Sequence, residues 1–483
     1  MERLKLVGHV IAKHSNEISY SGVGIGFEKL DRGVFDPNKA YDKVAAIGVK
    51  WARLQTGWAR CEKEKGVYDF SWLDELVENF ISRGITPWFS LSYGNPLYTA
   101  RAVPLIGAVG CIPIGSEEEM EAWKNYVFAI VTHFKGRVTH YEVWNEPDIK
   151  SFWRHNVEDP AQDPGPDAAE YAAFCIETAK MIRMADPDAN IMALAISRIQ
   201  GLDYINTAFA NGILEHIDTV SFHSYSSDDN VRPGRIRDLK NLCAAYGKEL
   251  PIAQGETGCQ SRSDGRGALK GMAWTPQKQL KHLLRNMIID FSEDVIFSSY
   301  FTTVDMSEAA HGVVGDKSSL YDFGYFGVLG ADFDENGFAT GEYTPKPSYY
   351  ALQTLASVFS EGIKPCELPI VRKKLPSKRV AGEDCADLSV MTYGFKKPNG
   401  AVALAYWNAV QLLSESYEGT ISFAAYTLDE PIRIIDMSNG NVYEIPDSMK
   451  EPLPGGGVLL KNIPITDIPM LITFGNFCDI TEE

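Results

Sequence analysis

Eight times between residues 20 and 360, a short apolar run is followed by a segment of helical spacing, with no sequence repeat linking the units. The apolar runs lie at 22–26, 49–54, 86–91, 138–143, 190–196, 217–222, 251–254 and 295–301. The helical segments lie at 41–47, 72–83, 117–133, 168–184, 204–212, 236–246, 275–291 and 347–359. Eight strand-then-helix units are the count of a (β/α)8 TIM barrel. A doubly wound sheet competes, but it needs fewer units and a Gly-rich phosphate loop. Gly22-Val-Gly-Ile-Gly26 is not GxGxxG and does not lead straight into a helix, so no dinucleotide site is read here.

Beyond residue 360 the helical spacing stops. Short alternating runs appear at 388–395, 400–407, 419–424, 432–436, 458–460 and 470–474, punctuated by Pro398-Asn-Gly400, Ser438-Asn-Gly440 and Pro454-Gly-Gly-Gly457. That pattern predicts an all-β module, a sandwich. The weak alternation at 5–20 reads as one or two further strands, expected to join the module and bring the termini together. The expected division is a catalytic barrel over 20–360, with 1–19 plus 361–483 as an accessory β-sandwich.

The chain of 483 residues carries Asp+Glu 64 against Lys+Arg 46, a formal charge of −18. That balance repels phosphate backbones and anionic lipid, so neither nucleic acid nor a membrane is an expected partner. No run of about 18 apolar residues occurs. The first residues lack a signal peptide's apolar core, which points to the cytoplasm unless a leader was removed. The 8 cysteines form no CxxC pair, and the 9 histidines form no HxH or HxxxH grouping. Neither a metal nor another cofactor is therefore expected. Oligomeric state is not legible.

The stretch from His140 to Asp148 begins as a strand and ends abruptly in Asn145-Glu146-Pro147. Pro147 bars continuation of the strand, so the turn displays Asn145 and Glu146 at the barrel end where reactive groups sit. A second glutamate, Glu256, ends the seventh run in the same way. Cleaving a glycosidic bond needs an acid for the leaving oxygen and a base or nucleophile across the ring, which two carboxyl groups with separated pKa values provide. Glu146, with Trp144 and Trp153 near it in sequence, is the better acid. Glu256, with Tyr225 placed to orient it, is the better nucleophile. Taken singly, a strand-end glutamate can be a cap, Arg53 a strand bridge and His223 a core histidine. Together, at the ends of strands 2, 4, 6 and 7, they mark a site.

Arg53, Asn145-Glu146-Pro147, His223-Ser-Tyr225 and Glu256 resemble the retaining glycoside hydrolases of clan A, the four-over-seven barrels. Lys65-Gly-Val-Tyr-Asp-Phe70, Leu73-Asp74, Ile217 to Tyr225 and the trailing β module are most similar to family 39, the β-xylosidase and α-L-iduronidase group. The resemblance implies Glu146 as acid/base, Glu256 as nucleophile, and Asn145 as partner of the sugar 2-hydroxyl. It implies that Arg53 supports the nucleophile and that His223 and Tyr225 line the site.

Aromatic rings expected to stack on sugar are Trp58, Tyr93, Tyr98, Trp153, Trp274, Tyr300 and Phe301. Long loops at 94–116, 147–167, 257–274 and 302–345 predict a walled pocket and removal of a terminal sugar from an oligosaccharide or glycoconjugate. Lys270 and Arg266 could meet a uronate, or simply occupy the surface. A transglycosylase using the same glutamates and a catalytically silent carbohydrate-binding barrel are the alternatives.

Overall fold

The computed structural model describes residues 4–308, 314, 321–374, 379–380, 383–384, 390–414 and 416–482. Part of the expected 302–345 loop, residues 388–389 and Cys385 lie outside the described residues.

Eight parallel strands close into a barrel in chain order: β1 (Val23–Gly26), β2 (Trp51–Gln55), β3 (Thr86–Leu91), β4 (His140–Val143), β5 (Asn190–Ile196), β6 (Thr219–His223), β7 (Ile252–Thr257) and β8 (Ser298–Tyr300). The helices α1 (Tyr41–Ile47), α2 (Ser71–Ser82), α3 (Glu117–Phe134), α4 (Ala168–Ala185), α5 (Leu202–Ala210), α6 (Arg232–Ala245), α7 (Pro276–Ser292) and α8 (Pro347–Val358) follow them in turn. Each helix forms for a local reason. In α2, Leu73, Leu76, Val77 and Phe80 recur at helical spacing and are the buried face. Helix α3 starts where the Ser116 side chain accepts from the Glu119 N–H, and three glutamates occupy its positive first turn.

The pleat sorts the barrel interior by height. Along β2, residues two apart point the same way, so Trp51, Arg53 and Gln55 rise from floor to mouth. At the floor Trp51 stacks on Phe297 with ring centroids 4.8 Å apart, and Trp88, Met192 and Ala253 fill the same layer. Arg53 lies one step higher, 5.3 Å above the Trp88 ring. Apolar packing thus ends at the level where buried charge begins.

The C-terminal module is two facing antiparallel sheets, one of eight strands and one of four. Phe423, Ile421, Leu460, Ile463, Ile434 and Ile472 are among the side chains buried between them. Strand Lys5–Val10 joins the larger sheet between Asn441–Glu444 and Ile480–Glu482, so the two ends of the chain meet there. Residues 15–17 form a 3-10 turn capped by His14 rather than a second strand. The run expected at 295–301 shortens to Ser298–Tyr300. Helix α7 holds the barrel to the module: Lys281 pairs with Asp467 at 2.5 Å, and Arg285 donates to the carbonyls of Asp467, Asn408 and Val410. The described cysteines are unpaired. Among the described residues no helix is long and apolar enough to cross a membrane.

Candidate active site

Strand β4 ends in a sharp turn. Trp144 and Glu146 both adopt left-handed backbone, with φ of 68° and 44°, a conformation that costs a non-glycine residue about 1–2 kcal/mol. Neighbouring strands hold the turn: the Trp144 N–H donates to Leu91 O at 3.1 Å and the Glu146 N–H to Ala195 O at 3.1 Å. The Trp144 indole donates to Phe152 O at 2.6 Å. The turn presents Asn145 and Glu146 to a cavity of about 420 Å³ at the barrel mouth, which Tyr93, Tyr225 and Glu256 also line.

Beneath that cavity the Arg53 guanidinium organises the carboxylates. It donates to Glu142 at 2.6 Å, to Asn145 Oδ1 at 2.9 Å and to Glu256, and it lies 3.6 Å from Glu28. Burial disfavours its charge, but Glu142, Glu256 and Glu28 together hold its pKa above the ordinary value. Tyr225 donates its hydroxyl to the other Glu256 oxygen at 2.7 Å. Glu256 therefore has a cation on one oxygen and a phenol on the other. Burial and the Glu256 charge keep that phenol well above the ordinary tyrosine range, so it stays a donor.

Glu146 has a different environment. Its Oε1 lies 3.0 Å from His223 Nδ1, and among the described residues no lysine or arginine pairs with it. Burial first, and then the negative charge of Glu256, push its pKa well above the usual carboxylate range. His223 is neutral, because burial and the charge of Arg53 hold its pKa far below the imidazole value. The contact between them is a hydrogen bond rather than an ion pair. Gly255 is required behind this pair, since a Cβ there would come within 2.8 Å of His223 Nε2 and 3.2 Å of Glu142 Oε1.

One ligating atom each of Glu146, His223 and Glu256 lies within 4.8 Å of the others, a grouping that could in principle accept a cation. Arg53 already supplies positive charge at Glu256. The raised pKa keeps a proton on Glu146, so the donor set suits proton transfer better than metal binding.

The structure thus brings together Arg53, Asn145, Glu146, His223, Tyr225, Glu256 and Tyr93. Five expected sugar-stacking residues, Trp58, Tyr98, Trp153, Trp274 and Tyr300, do not line the cavity. Trp58 is buried in an aromatic cluster with Tyr98, Trp123 and Tyr126, and its indole donates to Glu62. Trp153 packs on Trp144 and donates to Glu170. Trp274 donates to Leu269 O and packs edge-on against His282. Tyr300 is fully buried in the hydrophobic core. Those rings pack into the structure around the cavity; of the expected rings Tyr93 and Phe301 line it, joined by Phe152 and Phe326. Lys270 and Arg266 do not line it, and Arg266 is largely exposed beside Asp322.

Sequence reasoning missed Glu28, Glu142, Lys29, Arg32, Gln55 and Glu308. Glu142 was visible as a charge inside an apolar strand. Glu28 sits where β1 ends and is fully buried; burial and the Glu256 charge, against the pull of Arg53, push its carboxyl up to about 8.

Residues 46–249 match the profile of the glycosyl hydrolases family 39. The matched segment carries Arg53, Asn145, Glu146, His223 and Tyr225, and stops short of Glu256. A β-xylosidase of Geobacillus stearothermophilus is 24% identical over 173 residues, which is 34% of this chain and 32% of that protein. The chain thus spans about a third of the curated relative it matches. Among solved structures, a family 39 glycoside hydrolase from Bacteroides cellulosilyticus WH2 superposes with a TM-score of 0.62 at 17% identity, over 94% of this chain and 80% of that one. A monomeric β-xylosidase from Caulobacter crescentus CB15 gives 0.57 at 17% identity, over 97% of each chain. At that identity the structural likeness speaks to the fold alone: a (β/α)8 barrel with a β-sandwich module.

Proposed function

We propose that the protein is a retaining glycoside hydrolase that removes a terminal sugar from an oligosaccharide or glycoconjugate, with β-xylosidase-like action. Residues 20–360 would form the catalytic unit, with 1–19 and 361–483 as its accessory module. The observation that carries this reading is the close approach of two unlike carboxyl groups. One oxygen each of Glu146 and Glu256 comes within 4.8 Å, near the roughly 5–5.5 Å of retaining enzymes and short of the about 6.5–9.5 Å that an inverting enzyme needs for water.

In the first step Glu256 attacks the anomeric carbon while Glu146 protonates the departing oxygen. The bond to the leaving group breaks as the glycosyl ester to Glu256 forms. That ester removes the negative charge of Glu256, one of the two main causes of the raised pKa of Glu146. Glu146 then becomes the stronger acid it must be to remain ionised and serve as base. It takes a proton from water, the water oxygen bonds to the anomeric carbon, and the ester is released. Arg53 and Tyr225 fix the nucleophile throughout, and Asn145, oriented by Arg53, lines the cavity where its amide can meet a sugar hydroxyl.

The test is hydrolysis of a panel of aryl glycosides: β-xyloside, α-L-arabinofuranoside, β-glucoside, β-galactoside, β-glucuronide and α-L-iduronide. Wild type should cleave at least one, and Glu256→Ala and Glu146→Ala should each lose that activity. Cleavage that survives both substitutions would rule out the pair.

A further inference from the structure

The segments following β1 and β8 close one end of the cavity with polar groups that the two-step chemistry leaves unused. Lys29 Nζ donates to Glu308 Oε2 at 3.0 Å, with both side chains nearly buried, at 7% and 11% exposed. The other Glu308 oxygen, Oε1, is buried and has no hydrogen-bond partner among the described residues. Beside them Arg32 donates through Nη2 to Gln55 Oε1 at 2.6 Å, and its Nε lies 3.4 Å from Asp31. Its Nε and Nη1 are buried without a hydrogen bond among the described residues. Gln55 in turn donates to the Tyr93 hydroxyl at 3.2 Å. Lys29, Arg32, Gln55, Tyr93 and Glu308 all line the cavity that holds Glu146 and Glu256.

A buried polar atom without a partner is destabilising, so this wall is built for a partner that arrives with the ligand. It offers a carboxylate oxygen that can only accept and guanidinium nitrogens that can only donate. A hydroxyl does both, and neighbouring hydroxyls on a sugar ring match such a mixed wall. A sugar carboxylate accepts only, and it would meet Glu308 as a like charge. Nor does the cavity carry surplus positive charge: among its described lining residues, Lys29 and Arg32 stand against Glu256 and Glu308.

Position points the same way. The anomeric carbon must lie between Glu146, after β4, and Glu256, on β7. His223 and Tyr225 occupy the β6 side between those strands. The rest of the ring therefore extends toward β8, β1 and β2, where this wall stands. The Lys29–Glu308 pair also ties the segments after β1 and β8 together at that end.

The geometry points to Lys29, Arg32 and Glu308 as the residues that select an uncharged terminal sugar, binding its hydroxyls remote from the anomeric carbon and excluding a uronate. This rests on the glycosidase reading above. The experiment compares kcat/KM on the 4-nitrophenyl forms of that panel for wild type, Glu308→Gln and Lys29→Met, with Glu256→Ala as control. A neutral glycoside should exceed both uronides by about 100-fold or more, the scale of polar-group discrimination. Glu308→Gln and Lys29→Met should each lower kcat/KM on that glycoside by about 10- to 100-fold, as loss of a charged hydrogen bond does. On the 3-deoxy or 4-deoxy analogue that lacks the contacted hydroxyl, most of the loss should vanish, which a merely structural defect would not do.

Equal losses on the parent and both deoxy analogues would overturn the assignment. Preference for a uronide, lost in Glu256→Ala, would overturn it too, while leaving the glycosidase standing. Hydrolysis indifferent to Glu256→Ala, or none from any panel member, would overturn both.

Discussion

The interior of the sandwich and the upper interior of the barrel are built from similar short strands, yet they bury opposite chemistry. Between the two sheets the buried side chains are almost all aliphatic or aromatic, such as Phe423, Ile434 and Ile472. At the top of the barrel, fully buried Arg53 is surrounded by Glu28, Glu142 and Glu256, with Glu146 close by. Hydrocarbon burial stabilises by itself. Burying several carboxyl groups around one cation costs desolvation that the mutual attraction only partly offsets. A fold has no stability reason to place them there, so the difference separates what holds this molecule together from what it does.

Four substitutions test that contrast. The largest effect is expected for Glu256→Ala, which should lower kcat on any aryl glycoside the enzyme cleaves by about 10⁴-fold or more, with little loss of Tm. Arg53→Met removes the cation from beneath its carboxylates. It should cost about 3–5 kcal/mol of stability in denaturant titration, because buried negative charge is left unpaired, and activity should fall with it.

Phe423→Ala should also cost about 3–5 kcal/mol through the cavity it leaves. There kcat/KM of the folded fraction should stay at the wild-type value, and a loss of activity would tie the module directly to the site.

The smallest effect is a pH dependence. Glu28 has its pKa raised from 4.5 to about 8 in the folded protein. Between those values the folded state holds a proton that the unfolded chain has lost. The group's contribution to stability is therefore fully present below about pH 4.5 and falls as pH rises toward 8. Glu28→Gln should abolish that loss, so its Tm should exceed that of wild type by more at pH 8 than at pH 5. An equal offset at both pH values would mean that Glu28 does not titrate as placed.

The contrast also explains what the sequence discloses. The eight barrel units and the change to β texture after residue 360 are legible because apolar periodicity reports directly on burial. Glu146 and Glu256 stand out because each ends a strand pattern, and Asn145 and Pro147 mark the turn. The aromatic wall is not legible. Whether Trp153 or Phe152 faces the cavity depends on how a loop folds back, and periodicity does not encode that. Glu28 and Glu308 are hidden for a related reason: a carboxylate in a loop reads as a surface residue until the partners beneath it, Arg53 and Lys29, are placed in space.

The most direct measurement is proton NMR of the sugar released by wild type from the aryl glycoside it cleaves best, recorded before the product mutarotates. Double displacement through Glu256 predicts that the first product keeps the anomeric configuration of the substrate. A first product of inverted configuration would contradict it, and would mean that the two carboxyl groups act on water across a wider gap than the one seen here.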